Sequence, residues 1–159
     1  MYKIGHAIDV HKFASNRKLF LGGVEIPYSL GLLGHSDADV LLHAITEAII
    51  GALGKGDLGT HFPDNDEKYK DIDSKLLLQH VLKMMKEEGY QIVNIDSSVL
   101  LEQPRLSPYI ERIRETIAIL CNTDTKNINV KAGTMEKMGF IGNKEGIMAI
   151  ATVLLKKGD

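Results

Sequence analysis

The chain has 159 residues, 44% of them apolar and 25% charged, a length and balance that one domain with a well-buried core can absorb. Its net charge of −2 excludes a general basic field for nucleic acid or anionic lipid, and the single cysteine, Cys121, excludes an internal disulfide. With no charged-then-apolar leader and no long apolar run, the expectation is a cytoplasmic protein without membrane spans.

Residues 2–13 read as a strand, with Ile4, Ala7, Ile8, Val10 and Phe13 set among polar positions at a period near two. Asp9 and His11 lie two apart, so a regular strand projects both from one face. A carboxylate and an imidazole presented together are half of a divalent-metal site, although Asp-x-His alone is also ordinary strand polarity. His6 has the opposite parity and reads as structural. Residues 15–17 form a turn. A short strand at 18–21, the breaker Gly22-Gly23 and a hairpin return at Val24–Ile26 follow, ending at Pro27.

Residues 31–34 lead into Gly34-His35-Ser36-Asp37-Ala38-Asp39-Val40-Leu41-Leu42-His43. Ser36 and Asp37 can cap a helix here, and Asp39 suits its positive end. The helix carries His43 about one turn in and continues through Ile45, Ala48, Ile49 and Leu53 to Gly54-Lys55-Gly56. Alone, His43 is most simply a core histidine satisfied by a carbonyl. With Asp9 and His11 it completes a two-nitrogen, one-oxygen set that leaves a fourth tetrahedral position open.

Residues 57–66 read as a loop, either plain solvated connection or a substrate contact whose carboxylates accept from sugar hydroxyls. Asp73 or Ser74 caps a second helix that buries Leu77, Leu78, Val81, Leu82 and Met85, turns His80 outward and stops at Gly89. Residues 90–101 alternate as a strand that Pro104 ends. Ser107-Pro108 opens a third helix, serine at the N-cap, with Ile110, Ile113, Ile117 and Leu120 as its seam and Cys121 as inert packing. Residues 128–132 make another strand, Gly139-Phe140-Ile141-Gly142 a turn, and residues 147–155 a last, continuously apolar strand. Thr134 and Glu136 straddle Met135 at a strand end and so share a face. That pair is either common strand-end polarity or a seat for a phosphate oxygen and a hard cation. The order of elements predicts a single α+β domain over residues 1–159, helices layered on one sheet face.

Four stretches, in this order, carry a resemblance: Gly5-His6-Ala7-Ile8-Asp9-Val10-His11, the segment from Gly34 to His43, Gly56-Asp57-Leu58-Gly59 with Phe62-Pro63-Asp64, and residues 131–146. Together they resemble the 2-C-methyl-D-erythritol 2,4-cyclodiphosphate synthase family of the non-mevalonate (MEP) isoprenoid pathway, over essentially the whole chain. The resemblance implies a four-stranded mixed sheet plus a small hairpin, helices on one face, and a homotrimer with active sites between subunits. It implies conversion of 4-diphosphocytidyl-2-C-methyl-D-erythritol 2-phosphate to the cyclic diphosphate with release of CMP. The 2-phosphate attacks the β-phosphorus, a step dominated by charge neutralisation and positioning because the nucleophile is already largely ionised.

On that resemblance Asp9, His11 and His43 hold Zn²⁺, and Glu136 holds a second divalent cation, Mg²⁺ or Mn²⁺. His35 and Thr134 stabilise the transition state, with Ser36 beside His35 against the substrate phosphate. Further substrate contacts fall on Val10, on Asp57, Leu58 and Gly59, and on Phe62, Pro63, Asp64, Asn65 and Asp66. The cytidine pocket falls on Leu101, Glu102, Gln103, Pro104, Arg105, Leu106 and Ser107 and on Gly133, Thr134, Met135 and Glu136, with Phe140 and Asn143 nearby. Lys131 and Lys137 can add positive charge. Two positions depart from the usual pattern: Gly133-Thr134-Met135-Glu136 stands where three threonines commonly precede the glutamate, and Asn143-Lys144 stands where an arginine commonly follows Gly142. Competing readings are a metal-dependent phosphohydrolase and a non-catalytic metal- or nucleotide-binding trimer. Against a purely structural zinc, the set supplies three protein ligands where four are normal.

Overall fold

A computed structural model of the protein describes residues 1–158. In chain order the strands are β1 (Tyr2–Ala14), β2 (Leu19–Leu21), β3 (Val24–Ile26), β4 (Gly31–Leu32), β5 (Tyr90–Leu100), β6 (Ile128–Gly133) and β7 (Gly146–Lys157). The helices are α1 (Val40–Leu53), α2 (Leu58–His61), α3 (Ser74–Glu87), α4 (Ile110–Cys121) and α5 (Gly139–Gly142). The chain's two ends meet at the centre of the sheet, where β1 pairs antiparallel with β7 and sets Asp9 opposite Ala149 and His11 opposite Ile147. On the other side of β7 lies antiparallel β5, and β6 completes that side parallel to β5. The sheet therefore has five strands in the order β4-β1-β7-β5-β6, one more than expected. The extra one is a two-residue edge strand, Gly31–Leu32, pairing with Phe13 and Ala14. So short a strand has too few residues to show alternation, and the sequence reads it as approach to the helix.

The inner face of β1 carries Gly5, Ala7, Asp9 and His11, and that of β7 carries Ile147, Ala149, Ala151, Val153 and Leu155, the β7 set all buried. Against them lies α1, buried at every position except Glu47 and Gly51, because it is apolar all round and has the sheet on one side and α3 on another. Each large aliphatic side chain so enclosed contributes about 1.5–3 kcal/mol. Contact is close. A Cβ on Gly5 would stand 1.7 Å from the Ala48 carbonyl oxygen, so only glycine admits α1 at this depth. The opposite face of the sheet is open: Ile4, Ile8 and Val10 are 72%, 53% and 43% exposed. Among the described residues no helix is long and apolar enough to cross a membrane.

Several local expectations are revised. Ser36 and Asp37 do not cap α1; Asp39 does, its Oδ1 accepting from Leu42 N at 3.0 Å. The same buried carboxylate accepts from Gly22 N at 2.9 Å and Gly23 N at 2.7 Å, which fastens the β2–β3 turn to the helix start. Both turn glycines have positive φ, 62° and 79°, as a two-residue hairpin turn requires. Burial pushes the Asp39 carboxyl up, against the pull of the three N–H donors. Asp73 is the cap of α3, accepting from Lys75 N, and leaves Ser74 free for another use. Ser107 is not an N-cap: α4 begins at Ile110 after a turn closed by Tyr109 N and the Leu106 carbonyl. Residues 57–66 are not a plain loop but contain α2, and Gly139–Gly142 is a helical turn, both too short for periodicity to reveal.

Candidate active site

Strand parity and helix position do bring Asp9, His11 and His43 together. His11 Nε2 lies 2.9 Å from Asp9 Oδ2, His43 Nδ1 lies 3.2 Å from the same oxygen, and the two imidazole nitrogens are 3.1 Å apart. One donor atom from each lies within 4.8 Å of the others, and the group is half-buried to buried. Tetrahedral ligands about 2.0 Å from a zinc ion are separated by roughly 3.3 Å, so this set is already close to ligating spacing. Both rings are turned the right way. His11 Nδ1 donates to the Leu33 carbonyl at 2.7 Å, which leaves Nε2 as the lone-pair nitrogen facing Asp9. Gly34 seats that ring, since a Cβ there would come within 3.1 Å of His11 Nδ1. His43 Nε2 meets the hydroxyls of Ser36 at 3.0 Å and Ser74 at 2.9 Å, leaving Nδ1 toward the site.

The electrostatics agree with a cation seat. Burial works to raise the Asp9 carboxyl, but hydrogen bonds and charge from His11 and His43 outweigh it and hold the group well below the usual carboxylate range. For His11 burial pulls downward, while Asp9 prevails and raises the imidazole above its ordinary value. The acidic carboxylate thus draws positive charge to the point it shares with the two imidazoles, where a cation would take the place of the His11 proton on one oxygen and two nitrogens.

The triad forms one wall of a cavity of about 290 Å³ that is also lined by His35, Ser36, Leu58, Gly59, Phe62 and Asp64. His35 Nε2 donates to the Asp66 carbonyl at 3.0 Å, which ties the strand-to-helix turn to the far rim. Asp57 serves α2, accepting from Thr60 N and its hydroxyl, and Asp66 caps the following 3₁₀ turn through Lys68 N. Pro63 and Asn65 are exposed in the same segment. Glu47, Tyr69, Ile72 and Leu77 line the cavity without having been anticipated. Glu47 was findable, since it follows His43 by four positions on α1 and so shares its face. Its carboxylate accepts from Leu58 N at 3.2 Å.

The expected nucleotide residues line a separate cavity of about 350 Å³, formed by Leu101, Glu102, Pro104, Arg105, Leu106, Ser107, Ala132, Gly133 and Thr134. It shares no residue with the triad's cavity. Gln103 is exposed beside it. Glu102 Oε1 accepts from Met135 N at 3.0 Å and Lys137 N at 3.2 Å, clamping the turn after β6. That turn corrects the expectation for Thr134 and Glu136. The strand ends at Gly133 and Glu136 has a φ of 52°, so strand parity does not put the two side chains on one face. Lys131 is paired with Asp96 at 2.6 Å, whereas Lys137 is exposed on the turn. Val10 points to the open sheet face with Lys12, and with Phe140 of α5 borders a third depression of about 220 Å³. Asn143, just past α5, is exposed.

The profile of the YgbB family matches residues 2–156. The chain belongs to the YgbB family. Within the family it is 56% identical over 157 residues to the 2-C-methyl-D-erythritol 2,4-cyclodiphosphate synthase of Fusobacterium nucleatum, covering 99% of this chain and 98% of that one. It is 52% identical to the protein of that name from Bacillus subtilis, covering 99% and 100%. Among solved structures, the bifunctional IspDF of Campylobacter jejuni superposes with a TM-score of 0.96 at 43% identity, over all of this chain and 43% of that longer one. A Plasmodium falciparum IspF structure, a complex with CDP, superposes with a TM-score of 0.88 at 35% identity over 99% and 97%.

Proposed function

We propose that this chain converts 4-diphosphocytidyl-2-C-methyl-D-erythritol 2-phosphate to 2-C-methyl-D-erythritol 2,4-cyclodiphosphate and CMP, the synthase step of the MEP pathway. The observation that carries this reading is the convergence of Asp9 Oδ2, His11 Nε2 and His43 Nδ1 on one point of a cavity wall, in a chain 56% identical to a synthase of that name. Three donors leave a fourth corner for a substrate oxygen, which a closed structural site does not.

Asp9, His11 and His43 are the residues that would hold Zn²⁺, and Glu136, exposed on its turn, is the one that would hold Mg²⁺ or Mn²⁺. When bound, such cations neutralise phosphate charge and polarise phosphorus toward attack. The chain itself contributes orientation. Leu33 and the two serines keep both imidazole lone pairs aimed inward before substrate arrives. His35 and Ser36 line the same wall, where the Ser36 hydroxyl can stabilise charge growing on phosphate oxygens and His35, held through Nε2 by the Asp66 carbonyl, keeps its ring against the substrate. Gly59 and Leu58 form the sugar side, and Thr134 offers a hydroxyl at the mouth of the nucleotide cavity. No general base is required, because a phosphate monoester with a second pKa of about 6 is already nucleophilic at neutral pH.

A homotrimer belongs to this reading. The triad cavity and the nucleotide cavity share no residue within one chain, and a neighbouring copy seated on the open sheet face would cover Ile4, Ile8 and Val10. Phosphorus NMR of the protein incubated with the diphosphocytidyl substrate tests the activity. The expected result is a cyclic diphosphate and CMP, formed without incorporation of oxygen-18 from labelled water and stopped by a chelator. Oxygen-18 in the phosphate product would establish a hydrolase instead, and no turnover would leave only a binder.

A further inference from the structure

The geometry points to Ser74 and Asp37 as positioning residues that lock the metal-facing tautomer of His43, an inference that rests on reading Asp9, His11 and His43 as a cation site. Ser74 is fully buried at the first turn of α3, and its hydroxyl touches two groups: Asp37 Oδ1, to which it is hydrogen-bonded, and His43 Nε2 at 2.9 Å. A carboxylate oxygen only accepts, so the Ser74 proton goes to Asp37. The hydroxyl then has only lone pairs to offer His43, and Nε2 must carry the proton. That leaves Nδ1 bare, 3.2 Å from Asp9 Oδ2, which is the state a cation ligand needs.

Ser36 cannot do this alone. Its Oγ accepts from Ala38 N at 3.1 Å and lies 3.0 Å from His43 Nε2, and its own proton has no fixed acceptor. It can donate to a bare Nε2 as readily as accept from a protonated one, so it tolerates both tautomers. Asp37 removes that freedom from Ser74, and is itself held by N–H groups of Asp39 at 3.1 Å and Ser74 at 3.0 Å. The helix that supplies the cavity-lining residue Leu77 thus also sets the hydrogen on a ring belonging to α1.

The test is zinc affinity of the full-length chain, measured by competition with a chromogenic chelator, together with histidine ¹⁵N resonances before and after zinc. Ser74→Ala should weaken zinc binding about tenfold to a hundredfold and let the Nδ1-protonated form of His43 appear, while Ser74→Thr, which keeps the hydroxyl, restores both. Asp37→Ala, which removes the acceptor, should weaken zinc similarly, and Asp37→Ala/Ser74→Ala should be no worse than the worse single variant, because the two act as one unit. Parental zinc affinity in a folded Ser74→Ala overturns the proposal, as does equal loss in Ser74→Ala and Ser74→Thr, which would mean packing alone. Where Ser74→Ala does not fold, Asp37→Ala decides, and unchanged affinity there overturns it. Failure of the unaltered chain to bind zinc would instead sink the metal-site reading itself.

Discussion

His43 Nδ1 stands 3.2 Å from Asp9 Oδ2 although the two residues are 34 positions apart in the chain. The contact joins the first strand to the first long helix, so the depth and register of α1 on β1 set the geometry of the site. Removing the ring removes one donor of three. His43→Ala should therefore lose tight zinc binding and cut CMP release by at least about a hundredfold, since even outer-shell partners of a metal ligand are worth ten- to a hundredfold. The fold should persist, because alanine is the best helix former and α1 keeps its apolar contacts. Zinc content by atomic absorption and circular dichroism on one preparation check both parts. Joint loss of structure and activity would favour a structural metal.

Gly5 is where the strand and that helix approach most closely. The Cβ of Gly5→Ala would meet the Ala48 carbonyl oxygen at 1.7 Å and Ala52 Cβ at 2.9 Å, and backbone cannot rotate away as a side chain can. The expected cost is about 3 kcal/mol or more, at or beyond the upper end of ordinary overpacking. Because α1 carries His43 on the helix being pushed outward, zinc affinity should fall along with the urea midpoint. A destabilised variant with parental zinc affinity would show that the clash is absorbed elsewhere.

Glu136 lies on a left-handed turn after β6, outside the Asp9–His11–His43 group, and among the described residues it belongs to no other cluster of three or more such ligands. Glu136→Gln should leave zinc near one per chain yet lower turnover by about a hundredfold, the scale of losing one charge-stabilising group from a phosphoryl-transfer site. Raising Mg²⁺ should recover part of that loss if the carboxylate serves the second cation. Loss of zinc in this variant would overturn the division between the two sites.

Cys121 supplies a pH signature unrelated to the site. Burial pushes its thiol up to about 12 from an ordinary 9.0. Between those values the unfolded chain releases the proton and the native chain keeps it, so the native state binds more protons and stability falls as pH rises. The slope contributed is about 1.4 kcal/mol per pH unit above about pH 9, and nothing below it. Urea unfolding at pH 8, 9, 10 and 11 should show Cys121→Ala losing less stability with pH than the parent. In the native parent the thiol should resist a disulfide reagent at pH 8 and react once unfolded. Parallel pH profiles would show that the thiol is not protected.

Much of the site was legible because its signals are local. Asp9 and His11 share a strand face by a period of two, His43 is oriented by a helix whose apolar run is unmistakable, and the burial of Cys121 follows from its place in the α4 stripe. Asp39 was legible as an acid at a helix start but not as the cap, because two other polar residues precede it within the same turn. What chose Asp39 was the β2–β3 hairpin, whose Gly22 and Gly23 N–H groups needed an acceptor when buried. Thr134 and Glu136 are not a strand-face pair, because the strand ends at Gly133 and the turn after it has positive φ at Glu136, a break that alternation in the sequence does not mark.

Residue order by itself determined which side chains leave the same face of one element, since alternation and helical period are properties of a few neighbouring dihedrals. It therefore settled the Asp9–His11 pair and the placing of His43 inside α1. Only tertiary structure decided that α3 would bring Ser74 against that ring, that Glu47 would hold Leu58, and that residues within 101–107 would line a second cavity with Gly133 and Thr134. Those contacts depend on how helices dock on a sheet, which is governed by close packing between segments distant in the chain and leaves no periodic trace in either partner.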